Sequence, residues 1–210
     1  PINLSQEEPI VVVKKINEKK FIGGAAIVSC HAAGLNANSH FISVTGDDKN
    51  SDFLKNGLKL NKVRSHIIKD NTRPTILKTR YKASNRSLLK VTEVREHDIS
   101  KKISRQIINI INKKIKKIDV FIFSDFNYGV ITSELIHEIV NICKKNKINV
   151  VADCQSSSQY GDISKYNNVD FVSPTEREMR LALSDNNSSL SVLANQFREK
   201  TSVKNIVITL

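Results

Sequence analysis

Isoleucines recur at helical spacing through Ile99, Ile103, Ile107, Ile110, Ile111 and Ile118, with polar and mostly basic residues between them. Asp98 stands before the run as its candidate cap, so the pattern predicts an amphipathic helix with a Lys-rich outer face. The apolar stretch Val120-Phe121-Ile122-Phe123, bounded by Asp119 and Asp125, predicts a strand that ends in a turn at Gly129. Thr132 can cap a second helix, in which Leu135, Ile136, Ile139, Val140 and Cys143 share one face. Its last turn carries Lys144, Lys145 and Lys147, which complement the helix macrodipole. Further strands are predicted over 148–152, ending in Asp153, over 169–172, and over 206–210. Between them come the turn Ser173-Pro174-Thr175, a helix through 178–183, and another around Leu190, Leu193, Ala194 and Phe197. Continuous apolar strands alternating with helices predict a parallel sheet covered on both faces, with ligands beyond the carboxyl ends of its strands.

The first ninety residues have a different texture. Residues 10–14 and 74–83 read as extended, with partial alternation, and 88–91 as a short return strand. Gly23-Gly24-Ala25-Ala26 opens a small-residue helix that ends at Gly34, and residues 40–44 form a strand leading into Thr45-Gly46-Asp47-Asp48. The expectation is a small β subsheet attached to an α/β core, with no internal repeat.

Composition narrows the function classes. The chain of 210 residues carries 33 Lys+Arg against 21 Asp+Glu, a formal charge of +12. Nucleic-acid binding would call for a concentrated basic stripe with interleaved aromatics, but aromatics are 6% and Trp is absent. The excess is Lys-rich (24 Lys, 9 Arg) and travels with 26 Ile and 21 Asn, the mark of a bias over the whole chain. Its densest run, Lys113, Lys114, Lys116 and Lys117, falls at a predicted helix end. No segment approaches the roughly 20 apolar residues of a membrane span, no secretory signal opens the chain, and a cytoplasmic location is expected. Cys30, Cys143 and Cys154 are too few and too scattered for a disulfide framework and read as free thiols.

Several positions can carry chemistry. A Gly-Gly pair at a helix start lets backbone N–H groups approach a ligand's oxygens, or simply lets a small-residue helix pack closely. The Gly46-Asp47-Asp48 turn can serve a ligand or cap a helix. Asp125, Asp153 and Glu178 end or follow three successive strands, so three carboxylates converging on one crevice would suit Mg²⁺, while each alone can equally be a helix cap. His31 reads as packing, and Ser156-Ser157-Ser158 as an anion contact or a polar loop.

The order of these motifs resembles the PfkB, or ribokinase-like, family of carbohydrate kinases, in particular the branch of the heptose-phosphate kinase domain of lipopolysaccharide precursor synthesis. Residues 5–13 are similar to that branch's lid segment, and Gly23-Gly24-Ala25-Ala26 to the first family signature. Val44-Thr45-Gly46-Asp47-Asp48 resembles the strand-end motif. Pro74-Thr75 with Lys78-Thr79-Arg80 resembles the returning lid strands. Ser124-Asp125-Phe126 with Gly129-Val130-Ile131-Thr132, and Ser173-Pro174-Thr175-Glu176-Arg177-Glu178, occupy the places of two later motifs. The resemblance implies a three-layer α/β/α fold with a mostly parallel central sheet and a β lid. Lid strands are expected at about 5–16 and 65–92, and the core at about 21–64 and 93–210.

It further implies ATP- and Mg²⁺-dependent phosphorylation of a sugar or sugar-phosphate hydroxyl. The sugar would lie against Gly23, Gly24, Asp47 and Asp125, with Arg80 toward an anionic substrate and Asp153, Thr175 and Glu178 toward metal and phosphate. Ile27 replaces the family's sugar-contacting Asn, Thr175 the Asn of its Asn-x-x-Glu motif, and Gln155 a Lys. The chain has no Gly-Ala-Gly-Asp, the turn that supplies the family's catalytic Asp and anion hole. The chain is therefore expected to be an incomplete domain, inactive alone, with its C-terminal part missing and no catalytic residue of its own. A kinase-like sugar-binding or regulatory module is the alternative, and pairing of lids in a homodimer is the expected mode of self-association.

Overall fold

The computed structural model describes residues 2–4, 11–83, 86–155 and 161–210. Strands β1 (Ile2–Leu4) and β2 (Val11–Val13) pair antiparallel. Helix α1 (Gly24–Gly34) begins without a side-chain cap and buries Ala26 and Cys30. Strand β3 (His40–Thr45), α2 (Lys49–Leu60) and β4 (Arg64–Lys69) form a βαβ unit in register from His40 beside Arg64 to Thr45 beside Lys69. Alternation divides this pair between two layers. Phe41 joins a small core with Ala26, Cys30, Leu58 and Val63, whereas Val44 joins the larger core.

Strands β5 (Leu77–Ala83) and β6 (Arg86–Glu93) make an antiparallel ribbon with an irregularity after Tyr81. Beyond it run α3 (Lys101–Lys114) with a 3₁₀ turn (Ile115–Lys117), β7 (Val120–Asp125), α4 (Ser133–Lys145) and β8 (Asn149–Cys154). A second 3₁₀ turn (Ile163–Lys165), β9 (Phe171–Val172), α5 (Glu176–Leu183), α6 (Leu190–Thr201) and β10 (Asn205–Ile206) complete the chain. The last strands stand in the order β10-β9-β8-β7, all parallel. Ile103, Ile107 and Ile111 of α3 meet Phe123, Val150, Ala152 and Val172 of the sheet and Phe197 of α6 in the larger core. Each of these side chains larger than alanine contributes about 1.5–3 kcal/mol on burial.

The structure corrects several expectations. Ser100, not Asp98, caps α3, its hydroxyl accepting from the Ile103 N–H. Ile108 is buried in the α3 stripe and Ile110 is only partly so, because the buried face turns with 103, 107, 111 and 115. Residues 65–69, within the span expected for the lid, form with Arg64 the strand β4, which pairs parallel with β3. Of the final run 206–210 only Ile206 lies in a strand, β10, which starts at Asn205, and it is followed by a single bridge between Thr175 and Thr209. The triple serine 156–158 lies outside the described residues.

Candidate active site

Gly46 anchors the lid to the core. A Cβ there would lie 2.6 Å from the Arg73 carbonyl oxygen and 2.8 Å from the Thr75 nitrogen, so the chain leading into β5 rests directly on this glycine. The Asp48 carboxylate accepts from Asn50 and Ser51 at the start of α2 and, with its other oxygen, from the Thr75 N–H at 2.8 Å. Burial works to raise this carboxyl, but those backbone donors hold it below the usual carboxylate value. Asp47, by contrast, is outside the network and forms a 2.6 Å surface pair with Lys69.

Arg73 ties three loops together. Its buried guanidinium donates to Asp70 at 2.8 Å, to the Tyr128 carbonyl at 3.0 Å and to the His97 carbonyl at 2.7 Å. The loop after β4, the loop after β7 and the approach to α3 are thereby fixed to one another. Asp47, Asp48, Asn71, Arg73, Pro74 and Arg95 line a cavity of about 480 Å³ at this junction.

The loop after β7 reaches the glycine pair. Gly24 has φ +58°, a left-handed conformation natural to glycine, and a Cβ on it would stand 3.7 Å from the Phe126 ring. Lys78 of β5 places its ammonium 5.4 Å from the Phe126 centroid and 5.2 Å from that of Tyr128. Lid, glycine pair and β7 loop therefore meet around Phe126. Sequence reasoning did not assign a site role to Phe126 or Lys78. Lys78 was accessible to it, since Lys78 lies two residues before Arg80 and alternation puts both on one strand face.

The three carboxylates do not converge. Ser124 pairs with Asp153 and Asp125 with Cys154 along the parallel ladder, so Asp125 and Asp153 project from opposite faces. Among the described residues no group of three metal-ligating side chains forms. Asp125 is buried, accepting from the Tyr166 hydroxyl at 2.8 Å and the Asn127 N–H at 2.8 Å while paired with Lys165 at 2.5 Å. This shapes the loop that carries Phe126. The adjoining Cys154 thiol is pushed up to about 11, chiefly by burial.

Asp153 lies within electrostatic reach of Glu178. Burial and then the charge of Glu178 raise the Asp153 carboxyl, and the Ser173 hydroxyl donates to it at 3.4 Å. Thr175 and Glu178 form a capping box on α5: Thr175 Oγ1 accepts from the Glu178 N–H, and Glu178 Oε2 from the Thr175 N–H at 2.9 Å. Thr175 is thus a helix cap as well as a candidate phosphate contact. Gly24 sits by Phe126 and Gly23 precedes it at the start of α1, whereas Arg80, two residues beyond Lys78 on the ribbon, is exposed.

The family profile described as pfkB family carbohydrate kinase matches residues 2–210. The chain belongs to the pfkB family of carbohydrate kinases. Curated relatives named Bifunctional protein HldE are similar to it over 99% of its length: 32% identical in Aliarcobacter butzleri and 30% in Helicobacter pylori strain G27. The chain spans 44% and 45% of those proteins, less than half their length. Among solved structures, phosphofructokinase-2 from Escherichia coli superposes with a TM-score of 0.66 at 16% identity, over 90% of this chain and 61% of that one. A carbohydrate kinase from Agrobacterium tumefaciens gives 0.67 at 12% identity, over 89% and 59%. The α/β architecture of this pfkB chain is the ribokinase-like fold, and no helix among its described residues is long and apolar enough to cross a membrane.

Proposed function

We propose that this chain supplies the acceptor-binding part of an ATP-dependent kinase acting in the cytoplasm on a hydroxyl of a sugar or sugar phosphate of the heptose-phosphate type. The observation that carries this reading is the meeting of Gly24, Phe126 and Lys78 where the lid closes on the α1 N-terminus. A left-handed glycine offers backbone N–H groups, the aromatic ring a flat apolar wall, and the lysine a cation; together they suit a polyhydroxylated ring with an anionic group. Gly23 and Asp47 are the further sugar contacts of this reading, and Asp125 acts by shaping the β7 loop.

The oxygen donors of Asp153 and Glu178, whose charges repel one another, fit Mg²⁺, which prefers hard oxygen ligands and retains waters. Bound there with ATP, the ion would neutralise phosphate charge during transfer. The chain's own residues hold the acceptor and exclude water from it. No residue of this chain is assigned as the base that takes the hydroxyl proton.

Mg-ATP consumption measured over a panel of sugars and sugar phosphates tests this division. The 210-residue chain is expected to bind its sugar and consume no ATP, and a longer protein that contains it to phosphorylate that sugar. Sugar-dependent ATP consumption by the chain alone would contradict it, and a longer protein that binds sugar yet never uses ATP would favour a regulatory module. A second copy of the chain is the proposed protein partner, through the outward ribbon face where Tyr81, Leu89 and Val91 are exposed. Sedimentation showing a monomer would remove that partner.

A further inference from the structure

The two glycines at the start of α1 have no side chains with which to hold their own place. Gly23 makes no side-chain capping bond, and a Cβ on it would meet nothing within 4 Å. Their position is therefore set by the nearest anchored side chains, buried Ala26 on one side and Ile22 on the other. Ile22 packs against the small core of Ala26, Cys30, Phe41, Leu58 and Val63. Its seat is Gly57 of α2, where a Cβ would run into Ile22 Cδ1 and lie 3.0 Å from Cγ1. Glycine is disfavoured inside a helix, and the close approach of Ile22 is what this one permits. Two residues earlier, Lys20 Nζ donates to Asn50 Oδ1 at 2.5 Å and lies 4.7 Å from the Phe53 ring centroid. Asn50, Phe53 and Gly57 follow one another on one face of α2, and alternate residues of the incoming segment, Lys20 and Ile22, meet that face. Phe21 between them is 77% exposed.

We infer that Ile22, seated on Gly57, is a positioning residue for the acceptor: it sets where Gly23-Gly24 presents its backbone N–H groups to the sugar. The inference rests on the kinase reading above and adds to it the element that aligns the glycine pair. The exposed Lys20 contact contributes little, and the apolar seat is the part that fixes the chain. Helix α2 is itself anchored at its start, where the Asp48 carboxylate caps it and Ser51 Oγ lies 2.8 Å from Thr45 Oγ1 in a buried contact. The same Asp48 accepts from the Thr75 N–H. Helix α2 and its cap thus hold two passages of chain between lid and core, Ile22 on the way into α1 and Thr75 on the way to β5. A displacement of Ile22 from its seat passes directly to the glycines, because no side chain intervenes to absorb it.

Amide spectra and titrations with heptose 7-phosphate test this together, on the wild-type chain and on variants each shown by melting to be folded. Gly57→Ala, which adds a methyl group at the seat, is expected to shift the amide nitrogen and proton resonances of Gly23 and Gly24 and to weaken sugar binding about fivefold. Gly57→Ala/Ile22→Val moves one carbon across the contact at constant volume, and should return both readouts to near their wild-type values. Ile22→Ala empties the seat without a clash, and should speed amide exchange at Gly23 and Gly24 while weakening the same sugar. Gly34→Ala, in open space at the far end of α1, is the control and should change neither. Glycine resonances that stay in place in Gly57→Ala, with wild-type exchange in Ile22→Ala, would overturn the inference, as would shifted resonances with unaltered sugar affinity. A double variant no closer to wild type than Gly57→Ala would overturn the contact with Ile22 as the cause. Shifted resonances in a chain whose wild type binds no sugar would support the seat and overturn the acceptor reading.

Discussion

Position 46 shows how a single side chain's absence sets the site. A methyl group would strike two backbone atoms, the Arg73 carbonyl oxygen and the Thr75 nitrogen, and the Asp48 carboxylate oxygen that already accepts from the Thr75 N–H. Gly46→Ala is expected to cost about 1–3 kcal/mol, read as a lower urea midpoint at unchanged slope. An unaltered midpoint would mean that the lid approach moves aside without cost. The sequence singles out this turn as ligand contact or helix cap, and Asp48 turns out to be the cap. The contacts of Arg73 with Asp70, Tyr128 and His97 gave no sequence signal, because they join loops far apart in the chain.

A second residue-scale prediction concerns pH. His40 and His66 stack with their rings 5.7 Å apart, and burial first, then the nearby Lys114, pushes both imidazoles below their usual value. The unfolded chain therefore binds protons here more readily than the folded one. The resulting stability is complete above about pH 6.5 and is lost as pH falls through the depressed folded values. The melting temperature should drop between about pH 7 and pH 5, with a shallower fall in His40→Gln/His66→Gln. Parallel pH profiles for the two proteins would remove the pair from the explanation.

Among the elements, the start of α4 was legible: Thr132 accepts from the Leu135 N–H, where residue type and apolar spacing agree, whereas the cap that Thr175 makes on the Glu178 N–H was not read from the sequence. Nor was the start of α3. The Ile99 N–H donates to the Gly129 carbonyl, which holds the chain at residues 97–99 against the β7 loop and delays the helix until Ser100. Ser100→Ala should cost about 1 kcal/mol and Asp98→Ala less than about 0.5 kcal/mol in denaturant unfolding. The reverse order would restore Asp98 as the cap. Strand β4 was not anticipated, since the resemblance placed residues from 65 onward in the lid, whereas its parallel pairing with β3 is a long-range contact that local pattern does not reveal. The carboxylate cluster failed for a related reason: spacing shows that a residue ends a strand, but only the ladder register shows which face it takes.

At the scale of the whole molecule, the alternation of strand and helix and the order of motifs carried the fold, and the family profile covers residues 2–210. The charge of +12 carried less. Besides the run at the end of α3, the ribbon face that carries Lys78, Arg80 and Lys90 gathers three cations on one side because of pairing register and not local sequence. The central claim is that the acceptor sugar is held here, between lid and α1, independently of any nucleotide. Calorimetric titration of the chain with heptose 7-phosphate in the absence of ATP tests it most directly, comparing wild type with Gly24→Val. Saturable binding to the wild type, weakened at least tenfold by a side chain that disfavours positive φ and presses on Phe126, is the predicted result. Equal binding by both folded proteins, or none by the wild type, would contradict it.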